Sequence, residues 1–353
     1  MKPGTFYAFA GLTAVAVVAA GVAVSVQPET TSLTAGTEPA FPKLAKSLND
    51  VAKIELKNAK GEFSMTRTGD NWGLDQKDGY RVEFAKVKSA IVSLSNFKLI
   101  EKKTGDAERY VRLELESPDS PKAKSRKIVL KDAKGNILAD VVIGKLNPNL
   151  FGSGGAGTYI RRGGEKTSWL ARGQAELGAE ANNWMARQIT NYGQEKVRRV
   201  VVKNPEGAEI ILAKSNVKDK NFNIENLPEG RKIKNKDEAD PLAGVMWRMM
   251  FDDVKKSEKQ KWPEKPWVAH YTVWDGFTVR IETSKIGADF WGRFSASLDD
   301  SVTDAEKKMA AQKTVDEINA RTKGWTYMLT AGDSEKLTSK IEDYLAKPKK
   351  EGS

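Results

Sequence analysis

His270 is the only histidine in this chain of 353 residues, and there is no cysteine. Thiolate chemistry, disulfides and multi-histidine zinc or iron sites are therefore excluded from the outset. A Ser-His-Asp triad would have to use His270. That residue lies in an apolar, strand-like stretch, and no nucleophile elbow occurs anywhere in the chain, so it reads as structural. Residues 152–157 read GSGGAG and formally match G-x-G-x-x-G. The dinucleotide motif must open a helix whose N-terminus meets the phosphates, whereas here the strand pattern of Thr158, Tyr159, Ile160, Arg161 and Arg162 follows. The glycines read as a hairpin loop. Arg161 and Arg162 beyond it can clamp an anion or simply line an exposed strand pair.

The adjacent pairs Asp252–Asp253 and Asp299–Asp300 lack the alternating oxygens and central glycine of a calcium loop. A separated acid pair of the glycosidase kind is invisible to spacing, because its members meet only in the fold. Trp247, Trp262, Trp267, Trp274 and Trp291 crowd one region, close to Lys255, Lys256 and Lys261. Such a set can stack sugars or bases, but filling a core is the plainer use. The sequence thus offers no catalytic residue, no cofactor-binding residue and no metal ligand, and it reads as a protein that is not an enzyme.

The elements that carry these residues repeat. Residues 51–61 (VAKIELKNAKG) and 197–207 (VRRVVVKNPEG) share Val, Lys, Asn and Gly at matched places, each a period-two strand running into a turn. A second strand follows in each half, over 63–74 with Trp72 near its end and over 210–227 with Phe222 near the matching place. Next comes a helix. Residues 82–97 carry Val87, Ile91, Leu94 and Phe97, and residues 241–254 carry Leu242, Val245, Met246, Met249 and Met250, all at helical spacing. Strands return over 127–132 and 137–144, then 158–162 and 167–171. In the second half they return over 270–274 and 277–282 around Asp275–Gly276, then 290–296. The expectation is an α+β fold of two related β-β-α-β-β-β halves with mainly antiparallel sheets. Late helices are expected over 304–322 and 334–345, with a short strand over 325–329 between them.

Residues 6–26 carry no charge, and a bilayer core needs about 20 apolar residues at the helical rise. The run reads as an uncleaved membrane anchor, although Ala23, Val24 and Ser25 also imitate a signal-peptide cleavage site. Lysines lie on both sides of it. The usual arrangement for such anchors places the N-terminus inside and the body outside. The expected organisation is an anchor over 1–26, a flexible tether over 27–45, a first α+β repeat over 46–190, a second over 191–300, and a helical segment with a basic tail over 301–353. The formal charge of +11 favours anionic partners or marks a solvated basic surface. No nucleic-acid motif is present.

Several segments together resemble the bacterial domain-of-unknown-function 4340 (DUF4340) family. They are PKLAKSLNDVAKIEL at 42–56, Asp70–Asn71–Trp72, Gly79–Tyr80, Glu101–Lys102–Lys103–Thr104 and Val142–Ile143–Gly144–Lys145. Tyr159–Ile160–Arg161–Arg162, Trp169–Leu170 and Gly324–Trp325 complete the set. The resemblance runs from about residue 41 to 345 and departs at 110–113, where an expected Gly-Leu turn is missing. It implies a single-pass protein of the inner membrane of Gram-negative bacteria, with its body in the periplasm. It also implies an association with gliding-type ABC transporter components, and it implies no catalytic residues. The expected function is a non-catalytic accessory protein that works through contacts with an integral membrane protein partner. The alternative is a binding module for anionic envelope material: peptidoglycan, lipopolysaccharide or phospholipid headgroups. No cofactor and no nucleic acid enter either reading, and the sequence sets no oligomeric state.

Overall fold

A computed structural model describes residues 38–150 and 155–347. The expected anchor at 6–26 lies outside them, as does the start of the glycine loop at 151–154. Among the described residues no helix is long and apolar enough to cross a membrane. The protein is α+β, with two antiparallel sheets and several helices. It divides into two compact units, one of residues 38–67 with Phe84–Ala179 and one of Thr68–Glu83 with residues 180–347.

The strands of the first half are β1 (Val51–Asn58), β2 (Gly61–Thr68), β3 (Asn71–Leu74), β4 (Tyr80–Arg81), β5 (Lys98–Lys102), β6 (Arg126–Asp132), β7 (Ile137–Asn147), β8 (Gly157–Arg162) and β9 (Ser168–Arg172). In the first unit the order across the sheet is β2-β1-β6-β7-β8-β9-β5, with every pair antiparallel. Strand alternation selects the buried face: Ile54 and Leu56 of β1 and Ile128 and Leu130 of β6 are buried. Each such side chain contributes about 1.5–3 kcal/mol. The helix Phe84–Ser95 turns Val87, Ala90, Ile91 and Leu94 inward, as its spacing predicts.

Four expectations change in this half. The strand expected over 63–74 is broken at Gly69, whose φ of 61° ends β2 before β3 begins. The resulting hairpin β3–β4, with Trp72, belongs to the second unit and not to the first. The expected strand order also lacks β5, which leaves the helix and runs to the far edge of the sheet beside β9. Finally, the tether does not extend to residue 45. Ala40, Phe41 and Leu44 are buried, the Ala40 N–H donates to Phe97 O over 2.8 Å, and Pro42–Lys46 is helical.

The second unit holds β10 (Gln188–Thr190), β11 (Val197–Lys203), β12 (Glu209–Ala213), β13 (Asn223–Ile224), β14 (Met249–Lys256), β15 (Trp267–Val273), β16 (Phe277–Ile286), β17 (Asp289–Leu298) and β18 (Trp325–Leu329). Their order is β10-β14-β18-β17-β16-β15-β11-β12-β13. Read from β12 to β14, this is the first unit's order from β2 to β5. β11 even carries a register shift between Val197 and Arg199 where β1 carries one between Val51 and Lys53. The helix Ala305–Thr322, capped by Asp304, is an addition that enters between β17 and β18.

The helix expected over 241–254 is corrected. Helical backbone covers only Asp240–Ala243 and one 3-10 turn at Gly244–Met246, and then Arg248 adopts a φ of 49°. Met249, Phe251 and Val254 are buried as members of β14. The apolar spacing fits a helix and a bulged strand alike, and sheet pairing with β18 decides it. The closing helix expected over 334–345 is also two pieces, Ala331–Leu337 and a 3-10 turn at Ile341–Tyr344.

Candidate functional site

The outer faces of the two sheets carry the polar residues that the core excludes. In the first unit this face is crossed by the 3-10 segment Ala107–Leu113. Asp106 caps the segment by accepting the Glu108 N–H over 3.0 Å, and Glu114, at a φ of 56°, ends it. Tyr110 and Leu115 settle on Val142 of β7, with Leu113 and Tyr159 around them. Gly144 permits this approach, because a Cβ there would lie 2.3 Å from Leu113 O. The Tyr110 hydroxyl donates to Lys166 O, which fixes the ring. Beneath the ring, 4.9 Å from its centroid, lies the guanidinium carbon of Arg161.

Arg161 stands on β8 opposite Val142 of β7 and Ser168 of β9. Its Nε is buried with no acceptor among the described residues. Its neighbour Arg162 is placed differently. Arg162 pairs with Glu165 at 2.9 Å and lies 5.5 Å from the Trp169 ring.

The second unit repeats this arrangement with different residues. Leu130 of β6 faces Ile54 and Ala139, and Tyr271 of β15 faces Val200 and Val279. The same number of positions beyond Ala139 and Val279 come Val142 and Glu282, which face Arg161 and Arg293. Arg293 is thus the counterpart of Arg161. Trp262, in the loop after β14, covers its guanidinium at 4.3 Å, as Tyr110, after β5, covers Arg161. Arg293 donates from Nε to Thr326 Oγ1 at 3.5 Å and from Nη2 to Ser257 O at 3.4 Å, and the Ser257 and Thr326 hydroxyls are 3.0 Å apart. Burial pulls the arginine's pKa below its ordinary value. Glu282 faces it across the strands, but Arg280 donates to that carboxylate.

The other sequence candidates do not converge. His270 is partly buried on β15 between Val201 and Arg280, and burial, followed by the Arg280 cation, lowers its pKa. Asp252 pairs with Arg187 at 2.8 Å and Asp253 with Lys77 at 2.5 Å, so the two carboxylates serve different cations. Asp299 pairs with Arg198 at 2.7 Å. Among the described residues no group of three or more His, Asp or Glu can hold a metal ion. Most of the tryptophans cover separate cations: Trp291 lies 4.6 Å from Lys255, Trp274 6.0 Å from Arg198, and Trp247 5.2 Å from Arg248. Trp325, outside that cluster, takes Lys256 at 4.0 Å. The pairing of Arg161 with Tyr110 and of Arg293 with Trp262 joins loop to strand across many residues. Only the shared strand pattern of the two halves hints at it in the sequence.

Fold and surface together define an α+β protein of two antiparallel sheets that carries several cation–ring pairs. Residues 72–263, more than half of the chain, match the family described as Domain of unknown function (DUF4340), and the chain belongs to that family. No curated protein and no solved structure matches the chain.

Proposed function

We propose that this is a non-catalytic accessory protein of the bacterial cell envelope, held to the inner membrane by residues 6–26 with its body in the periplasm. It works through contact with an integral membrane protein, such as a component of a gliding-type ABC transport complex. The two halves are copies of one ancestral unit, and shared strand order and a shared bulge support that reading. The observation that carries the contact reading is Trp247. It is 60% exposed beside Met250 at 41%, on a turn where Arg248 holds a left-handed backbone. A large aromatic presented outward on a strained, fixed turn is costly to keep and has the character of an interface anchor.

A photo-crosslinking residue placed at position 247 of the full-length chain, activated in intact cells, tests this. Capture of an integral membrane protein from position 247, and not from the exposed position Glu306, is the expected result. Capture of only lipid or cell-wall material, or equal capture from both positions, overturns the reading.

A further inference from the structure

We infer that Arg161 and Arg293 are equivalent oxyanion-binding positions, one in each unit, where a guanidinium covered by an aromatic ring offers its N–H groups to the paired oxygens of a phosphate or carboxylate. This goes beyond the contact reading and does not depend on it.

The argument starts from charge. An arginine keeps its proton in a protein, so burying part of it without an anion leaves an unpaired charge. Most cations on these faces avoid that cost: Arg162 has Glu165, Arg198 has Asp299, and Lys131 has Glu55. Arg161 is partly buried, its Nε has no acceptor among the described residues, and both residues that face it across the strands, Val142 and Ser168, are neutral. The Ser168 hydroxyl is already spent on Thr104 O at 2.8 Å. Arg293 has two long bonds to neutral oxygens, and the facing Glu282 carboxylate, whose charge favours the cation, is shared with Arg280, which donates to it.

Geometry supplies the second part. The rings of Tyr110 and Trp262 lie 4.9 and 4.3 Å from the two guanidinium carbons and cover one side of each. A ligand must then approach the N–H groups that the ring and the neighbouring hydrogen bonds leave open. Two N–H groups match two oxygens, which is the geometry that makes arginine a recogniser of carboxylate and phosphate. Stacking also fixes the side chain beforehand, so less rotamer entropy is lost on binding. The same construction at the same position of two sheets, with Tyr in one and Trp in the other, preserves the arginine while the ring changes.

The test uses full-length protein in a maltoside detergent with 15N at arginine Nε, titrated with sodium phosphate at constant ionic strength set by chloride. Two Nε–Hε signals are expected to shift and saturate, one removed by Arg161→Lys and the other by Arg293→Lys, while the Arg162 signal stays in place. A parallel acetate titration separates phosphate-selective from general oxyanion recognition, and saturation with either supports the inference. Non-saturating shifts, no shifts, or equal movement of Arg162 overturn it. If either lysine variant fails to fold, the native titration still decides, because saturation of two arginine signals requires no variant.

Discussion

Arg161 of β8 and Arg293 of β17 hold the same position in two sheets that share a run of strand order from β2 to β5 and from β12 to β14, each beneath an aromatic ring, Tyr110 at 4.9 Å and Trp262 at 4.3 Å. Each ring arrives on the loop that follows the strand beyond the sheet's last hairpin, β5 in one unit and β14 in the other. The loops differ in sequence and in local structure, with a 3-10 segment at Ala107–Leu113 and another at Ser257–Lys259. What the two units share is an aromatic cover over one arginine.

His270 gives a clean titration, because the chain has no other histidine. Burial, and then the Arg280 cation, depress its folded pKa below the usual 6.5. The folded state therefore favours the neutral ring. Stability from this source is complete above the unfolded pKa and is lost as pH falls through the folded one. The imidazole proton signal should titrate with a midpoint below 6.5, and His270→Gln should flatten the acid limb of a stability-versus-pH curve. A midpoint above 6.5 would reverse the assigned sign.

Trp72, a residue of the second unit, is only 5% exposed. Trp72→Ala should cost about 3–5 kcal/mol in urea unfolding. A loss under about 1 kcal/mol would place the ring outside the core.

Asp240 is buried, 8% exposed, and accepts from Phe222 N at 2.9 Å and Asn221 Nδ2 at 2.8 Å. Asp240→Ala leaves a buried N–H unpaired and should cost about 1–3 kcal/mol. Asp240→Asn keeps one acceptor and should cost less. Equal losses for the two variants would show that charge, and not the hydrogen bond to Phe222, is what counts.

Trp247 and Arg248 separate stability from contact. Trp247→Ala should change stability by no more than about 0.5 kcal/mol, since the ring is largely in solvent. Arg248→Gly removes a left-handed strain and should be neutral or stabilising by up to about 1 kcal/mol. Differential scanning calorimetry decides both. A strongly destabilised Trp247→Ala protein would mean that the ring supports the fold.

The uncharged run at 6–26 predicts that full-length protein stays with membranes through an alkaline carbonate wash, while a chain starting at Glu38 is released. Recovery of native protein whose N-terminus follows Ser25 would show instead that the segment is cleaved.

Local spacing was sufficient wherever one short stretch settles its own structure. The alternation in β1 and β11, the turn at Asp275–Gly276 with Gly276 at a φ of 91°, and the helices Phe84–Ser95 and Ala305–Thr322 were all legible in the sequence. So was the absence of cysteine and of a second histidine, which narrowed the chemistry before any fold was known. Where burial by distant partners decides, the sequence was silent or misleading. The spacing of Met249, Met250 and Val254 suits a helix, but pairing with β18 makes the segment a strand. The hairpin β3–β4 follows β2 in the chain yet packs in the other unit, where the Tyr80 ring meets Phe251 at 5.4 Å and Trp325 at 4.8 Å. Likewise Tyr110 reaches Arg161, and Trp262 reaches Arg293, only because sheet order brings a loop over a strand far away in sequence. Backbone periodicity fixes which face of an element is apolar, but which element covers that face is a property of the whole packed sheet.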